Sequence, residues 1–328
     1  MTLTLLVLAG ALALGAACGS FLNVCIHRLP RRCMTVHHPR GSVCPRCGHP
    51  IRGRDNLPVL SWILLRGRCR DCGTPIRPRY MLVELLTATL FVLATMARLG
   101  VPVMPQPWQV FVWLACDCYL VAAVVVLSGV DLELQIIPDE ISCTGLPLAL
   151  AAAALAPTPL LEASLPALSG IAPVDGLLAG LAGAATGAGA VWLIGFLGTL
   201  LFRQEAMGLG DVKIMAVLGA LLGWDGCLAA LLVATLAAGL VSTGIFLVAR
   251  RHTLAFGPYL AFAALGVRLG DVSLTGLVQR SVAWVGEEPG RHIWVAGGCV
   301  ALVGYMVVIL VLLRRDRRQL AGESAESP

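Results

Sequence analysis

The sequence predicts an all-α fold: a multi-pass transmembrane helical bundle with a small cysteine-rich, zinc-binding cytoplasmic loop. Three features predict it. The 328 residues are 58% hydrophobic and 13% charged, with a mean hydropathy of +0.84, whereas soluble domains carry about 25% charge. Long apolar runs recur along the chain, and a helix needs roughly 20 residues to cross the hydrocarbon core. Charge is also segregated: twelve of the 23 arginines fall between Arg28 and Arg79, opposed only by Asp55 and Asp71. An arginine-rich loop between apolar segments reads as cytoplasmic by the positive-inside rule. Topology accounts for the basic stretch, so no nucleic-acid partner is inferred.

The elements follow in order. Residues 3–22 form the first apolar run; a basic region before it is absent and the first positive residues, His27 and Arg28, come after it. That favours an uncleaved helix with its N-terminus outside over a signal peptide. Further runs fall near 81–99, 108–130, 141–157, 175–202, 212–223, 227–249, 256–268 and 293–313. Alternation puts the 28–80 loop, "DLELQIIPDE", "FRQEAMGLGD", "ARRHT" and "RRDRRQ" inside. It puts "GVPVMPQP", 158–174 and "GWDG" outside, so arginines sit inside at four junctions. The 212–223 and 256–268 runs are short for spans and are expected to be tilted, broken or re-entrant. In "LAGLAGAATGAGA", Gly183 and Gly187 read as a small-residue packing face between helices. The expected organisation is a first helix (1–27), a cytoplasmic zinc loop (28–80) and membrane-embedded helices (81–268). An outer segment with a final helix (269–313) and a cytoplasmic tail (314–328) complete it.

Within the loop the chain nearly repeats itself, "CPRCGHPIRGR" and then "CRDCGTPIRPR". Two Cys-x-x-Cys knuckles match a four-thiolate zinc site on Cys44, Cys47, Cys69 and Cys72. The cytoplasm keeps thiols reduced, which favours a metal over disulfides. Four protein ligands fill the tetrahedron, so such a zinc is structural. Cys33 lacks a partner at ligand spacing, and the other scattered cysteines read as small buried residues.

The acids are the candidates for chemistry. Asp131 closes an apolar run at the inner face, where a carboxylate at a helix C-terminus opposes the macrodipole. Its alternative is a solvated edge residue. Asp211, in "MGLGDVKIM", is either an N-cap for a helix starting at Val212 or half of a catalytic pair. Both aspartates end at the same face on different spans, and two close carboxylates share one proton, giving an acid and a base. Gly208 and Gly210 would let substrate backbone approach. Lys213, the only lysine, is either a snorkelling anchor or a supporting residue. Asp139 and Glu140 follow Pro138 and read as a helix start, Glu133 as loop, and Asp117 lies within a span with its role open. His27, His37, His38, His49, His252 and His292 form no zinc-protease run.

These motifs together resemble the type IV prepilin peptidases. "GSFLNVCIHRLP" (19–30), the cysteine loop through "RYMLVELLTA", "DLELQIIPD", "GLGD" with Val212-Lys213, and "FGPYLAFA" (256–263) occur in the family's order. The resemblance covers about residues 10–265. It implies that Asp131 and Asp211 are the catalytic aspartates of an inner-membrane peptidase. Prepilin or pseudopilin substrates with a short basic leader would be cut after glycine at the cytoplasmic face. It also implies N-methylation of the new N-terminus with S-adenosylmethionine, for which the residues show no nucleotide fingerprint. Residues 269–328 extend beyond the family's usual end. The competing class is a membrane-lipid-embedded transporter or assembly platform with a zinc-stabilised loop. A transporter would place its ionisable groups near the midplane and often show repeated halves.

Overall fold

A computed structural model describes residues 2–30, 42–44, 46–99, 106–203, 207–249, 255–277 and 279. The expected 293–313 helix, the tail, Cys33, His37, His38, His252 and His292 lie outside the described residues. Nearly everything described is helical: α1 (Thr2–Arg28), α2 (Leu60–Leu64), α3 (Pro78–Leu99), α4 (Pro107–Leu134), α5 (Asp139–Leu155), α6 (Pro159–Ser164), α7 (Ala172–Phe202), α8 (Leu209–Ala249) and α9 (Gly257–Gly270). Five of them, α1, α3, α4, α7 and α8, are long and apolar enough to cross a membrane. Leucines of α1 and α7 stay exposed on the outer surface of the bundle, as expected where the solvent is lipid.

Helix packing is carried by glycine where backbones meet. On α7, a Cβ at Gly183 would collide with the Gly219 carbonyl, and one at Gly187 would stand 2.6 Å from the Met215 carbonyl. The predicted small-residue face is therefore the α7–α8 contact. On α1, Gly15 and Gly19 meet the Cα atoms of Ala88 and Glu84 on α3, each 2.7 Å from a hypothetical Cβ. Gly223 has φ 71° and ψ 175°, outside helical geometry. Gly219 and Cys227, four residues on either side of it, both reach Gly183. The chain thus turns sharply at "GWDG", and Trp224 Nε1 donates to the Ser164 carbonyl of α6 at the turn.

Local structure differs from the sequence reading in three places. Glu133 belongs to the last turn of α4, where an ion pair with Arg79 at the start of α3 holds it. Helix α8 starts at Leu209, so Asp211 lies inside the first turn instead of capping a helix at Val212. The 158–174 segment contains α6, begun by Pro159 at a position where a missing N–H is no loss.

Asp117, left open by the sequence, is the best-enclosed charge in the bundle. It is fully buried, with Arg98 Nε on α3 at 2.6 Å and Arg268 Nε on α9 at 2.8 Å. Arg268 also donates to Thr158 Oγ1 at 3.1 Å and to the Leu221 carbonyl at 3.3 Å. Arg98 reaches the Arg268 carbonyl at 3.3 Å. One carboxylate thus ties α3, α4, α8 and α9 together, with every charge hydrogen-bonded, the condition for keeping ions out of water.

Two stability predictions follow. Asp117→Ala leaves two buried guanidiniums without their carboxylate and is expected to destabilise the purified protein by about 3–5 kcal/mol in reversible unfolding. Gly183→Ala is expected to lower stability by about 1–3 kcal/mol through overpacking. Gly189→Ala in the same helix, where a Cβ meets nothing within 4 Å, should be neutral.

Candidate active site

The Arg79–Glu133 pair joins the start of α3 to the end of α4. The chain between α1 and α3, which includes the cysteine loop, therefore lies at the same end of the bundle as the end of α4. Within that loop each knuckle is a small antiparallel bridge, Val43 with Pro50 and Arg68 with Pro75. The Cys44 amide bonds the His49 carbonyl at 3.0 Å and the Cys69 amide bonds the Thr74 carbonyl at 2.8 Å. Gly48 and Gly73 take φ of 72° and 70°, the left-handed turn that glycine adopts without strain. The near-repeat in sequence is thus a near-repeat in structure.

The four sulfurs converge. Cys44, Cys47, Cys69 and Cys72 Sγ lie within 4.8 Å of one another, and the Cys44–Cys72 separation is 3.8 Å. A tetrahedral ion with metal–sulfur bonds of about 2.3 Å needs sulfur–sulfur edges of about 3.8 Å. The Thr74 hydroxyl and amide pull the Cys72 thiol down to about 6. The Cys47 and Arg46 amides lower that of Cys44. These two are biased towards the thiolate that binds metal, while Cys47, against the pull of the His49 amide, is pushed up to about 12 by desolvation and by the Cys44 and Cys72 sulfurs. The loop is braced by Arg70 donating to both Asp55 oxygens at 2.6 and 2.8 Å. Trp62 Nε1 donates to the Ile76 carbonyl at 3.1 Å, and the Val59 amide donates to Glu84 of α3 at 2.7 Å.

At the same end, Asp131 and Asp211 face one small recess with Leu127, Ile137, Ile214, Gly257 and Leu260. Asp131 is buried and Asp211 half-buried. Their helical settings are opposite. Asp131 sits in the last turn of α4, which ends when Gln135 turns left-handed and its amide bonds the Asp131 carbonyl at 2.9 Å. Asp211 sits in the first turn of α8, where the dipole favours a negative charge.

The remaining expected residues surround this pair. A Cβ at Gly208 would meet only the Gly210 nitrogen, at 3.9 Å, whereas one at Gly210 would press on Ile137 at 3.0 Å. Gly208 therefore opens to space, and Gly210 admits the "DLELQIIPDE" connection. Lys213 Nζ contacts Asp139 Oδ1 at 2.6 Å, pinning the start of α5 to that of α8. Both partners are exposed, so the contact adds little to stability. Sequence reasoning missed this pair, the Arg79–Glu133 pair, the Arg98 and Arg268 partners of Asp117, and Gly257 in the recess. Arginines inside apolar runs were the available signal for the buried partners, because an isolated charge there requires a counter-ion.

Residues 13–98 match the bacterial peptidase A24 N-terminal domain and residues 118–243 match the type IV leader peptidase family. A prepilin leader peptidase/N-methyltransferase of Aeromonas salmonicida is 34% identical over 286 residues, covering 78% of this chain and 88% of that protein. Proteins of the same description from Myxococcus xanthus and Klebsiella pneumoniae are 39% and 38% identical. The alignments cover 70% and 68% of this chain and 60% and 89% of those proteins. No solved structure matches the chain.

The sulfur geometry predicts about one equivalent of tightly held divalent metal per purified chain by elemental analysis. Cys44→Ser and Cys69→Ser, one from each knuckle, should each lose most of it and expose the 46–77 segment to limited proteolysis.

Proposed function

Since the chain belongs to the type IV leader peptidase family, we propose that it is a membrane aspartic endopeptidase with Asp131 and Asp211 as its catalytic pair. The observation that carries this reading is that two carboxylates, from helices far apart in sequence, face one recess. Two carboxyl groups in such a recess share a proton more easily than they carry two negative charges, so the pair offers a base and an acid at once. The base takes a proton from water as its oxygen attacks the scissile carbonyl carbon. The acid gives its proton to the carbonyl oxygen. Collapse of the tetrahedral species breaks the C–N bond and the nitrogen leaves protonated, giving one carboxylic acid and one amine. The two apparent ionisations belong to the pair, not to either residue. Gly208 gives the substrate backbone room at the recess, and Lys213 holds Asp139 and the "DLELQIIPDE" connection beside it.

The substrates are prepilins or pseudopilins with a basic leader followed by an apolar helix, cut after glycine. A leader kept inside by its charge presents its cut site at the cytoplasmic face of the inner membrane, which sets the N-terminus outside and the cysteine loop in the cytoplasm. On this reading residues 1–27 anchor the chain, 28–80 form the zinc loop and 81–268 the peptidase helices. Residues 269–313 add an outer segment and a final helix before the 314–328 tail. The metal of the four thiolates is zinc. With four protein ligands it has no place for a catalytic water and serves the loop's fold. N-methylation of the new N-terminus rests on the relatives' shared description. Neither the Asp131–Asp211 recess nor the one beside Trp113 and Arg268 is lined by groups suited to a nucleoside, so no residue is assigned to S-adenosylmethionine and no step is drawn through it.

The test is cleavage of a membrane-inserted prepilin reporter by Asp131→Asn and Asp211→Asn, with folding and metal content measured alongside. Each variant is expected to stay folded and metal-loaded and to lose at least about 10⁴-fold in kcat/KM, as removal of a group acting within a catalytic unit does. Wild-type cleavage by either variant would remove that residue from the mechanism. Lys213→Arg should cleave normally, as a surface contact of this kind predicts.

A further inference from the structure

Helix α9 opens with Phe256-Gly257-Pro258, part of a sequence motif that the catalytic pair leaves without a role. The first N–H groups of a helix have no partner within it. Pro258 has no N–H to satisfy, and the amides of Tyr259 and Leu260 reach back to the Phe256 carbonyl at 3.0 and 3.2 Å. That leaves the half-buried Gly257 amide. It lies beside the Asp131 carboxylate, which the fold sets against Gly257 in the recess. Contact is close enough that a Cβ at Gly257 would stand 2.6 Å from Asp131 Oδ2 and 3.3 Å from its Cγ.

We propose that Gly257 is a positioning residue of the catalytic pair: its amide fixes the Asp131 carboxylate in the recess, and its lack of a side chain is what permits the contact. The inference rests on the aspartyl-pair reading above. Asp131 sits at the C-terminal end of its own helix, where the dipole opposes its charge, and the N-terminus of α9 supplies the compensating partial positive charge. An N–H can donate only to an acceptor, so the oxygen that receives it carries a lone pair. An ionised oxygen accepts more strongly than a protonated one, so the amide biases the shared proton towards another oxygen of the pair.

The far end of α9 sets this contact. Asp131 and Asp117 are fourteen residues apart on α4 and Gly257 and Arg268 eleven apart on α9, about 21 Å and 17 Å at 1.5 Å per residue. The packed helices meet at Asp117–Arg268 near one end and at Asp131–Gly257 near the other, and the buried ion pair sets the register that brings Gly257 to the carboxylate.

Two measurements test this. In the prepilin-reporter assay, Gly257→Ala is expected to lower kcat about a hundredfold, the cost of a displacement of about 1 Å in a reacting group, with KM within about twofold. Gly266→Ala, the same change in the same helix where a Cβ meets nothing within 4 Å, should cleave as wild type. Separately, residue-resolved hydrogen exchange should show the Gly257 amide protected in wild type and exchanging at least roughly tenfold faster in Asp131→Ala, because its acceptor is gone. The Val267 amide should be unchanged.

Wild-type kcat in Gly257→Ala, a loss confined to KM, or a Gly257 amide indifferent to Asp131→Ala would each overturn the proposal. If Gly257→Ala does not accumulate, the exchange measurement decides alone. Inactive Asp131→Asn and Asp211→Asn beside an active Gly257→Ala would sink the positioning role and leave the aspartyl pair standing. Active aspartate variants would sink the pair itself.

Discussion

Asp117 has no solvent exposure and two guanidiniums within 2.8 Å, and the arrangement of the bundle depends on that contact. A charge inside an apolar bundle is tolerated only when paired and fully hydrogen-bonded. Meeting that condition draws α3, α4 and α9 to one point and brings in the Leu221 carbonyl of α8 and Thr158. Apolar packing alone would let helices slide against one another, because one leucine contact is much like the next. An ion pair with fixed geometry does not slide. Its contribution is register more than stability, and register delivers Asp131 and Gly257 to the same recess at the other end of the same helices.

Glycine does the complementary work. Where α7 meets the first part of α8, backbone lies on backbone through Gly183 and Gly219, and the turn at Gly223 returns the chain to Gly183 through Cys227. That close crossing supports α8, which carries Asp211 in its first turn. The cysteine loop is held to this end by the Val59 amide on Glu84 and by Asn23 Nδ2 on the Tyr80 carbonyl at 3.0 Å. The recess is therefore built from rigid helix ends with a braced loop at the same end of the bundle, the kind of support a pair of carboxylates needs to keep a productive geometry.

Much of this was legible in the sequence, for identifiable reasons. Helix positions follow from apolar runs, and the knuckles from the Cys-x-x-Cys spacing with its glycines, because both signals are local. The pairing of Asp131 with Asp211 followed from alternation of spans, which places both at one face. Partners across the bundle were not legible. Nothing local says that Arg98 and Arg268 meet Asp117, that Lys213 meets Asp139, or that Gly257 lies on Asp131, since each joins residues that only packing brings together. The capping alternative for Asp211 set the helix start at Val212, three residues late, because "GLGD" is compatible with a helix starting before or after the aspartate. Glu133 was read as loop because its partner, Arg79, lies more than fifty residues away.

The central claim is that Asp131 and Asp211 work on one recess. It is tested most directly by replacing both with cysteine in the membrane-inserted protein, treating with a short thiol-to-thiol cross-linker and mapping linked peptides by mass spectrometry. The account predicts a 131–211 link in the double variant and none in either single variant. Two reactive thiols that fail to link to each other, or that link instead to cysteines elsewhere in the chain, would contradict it.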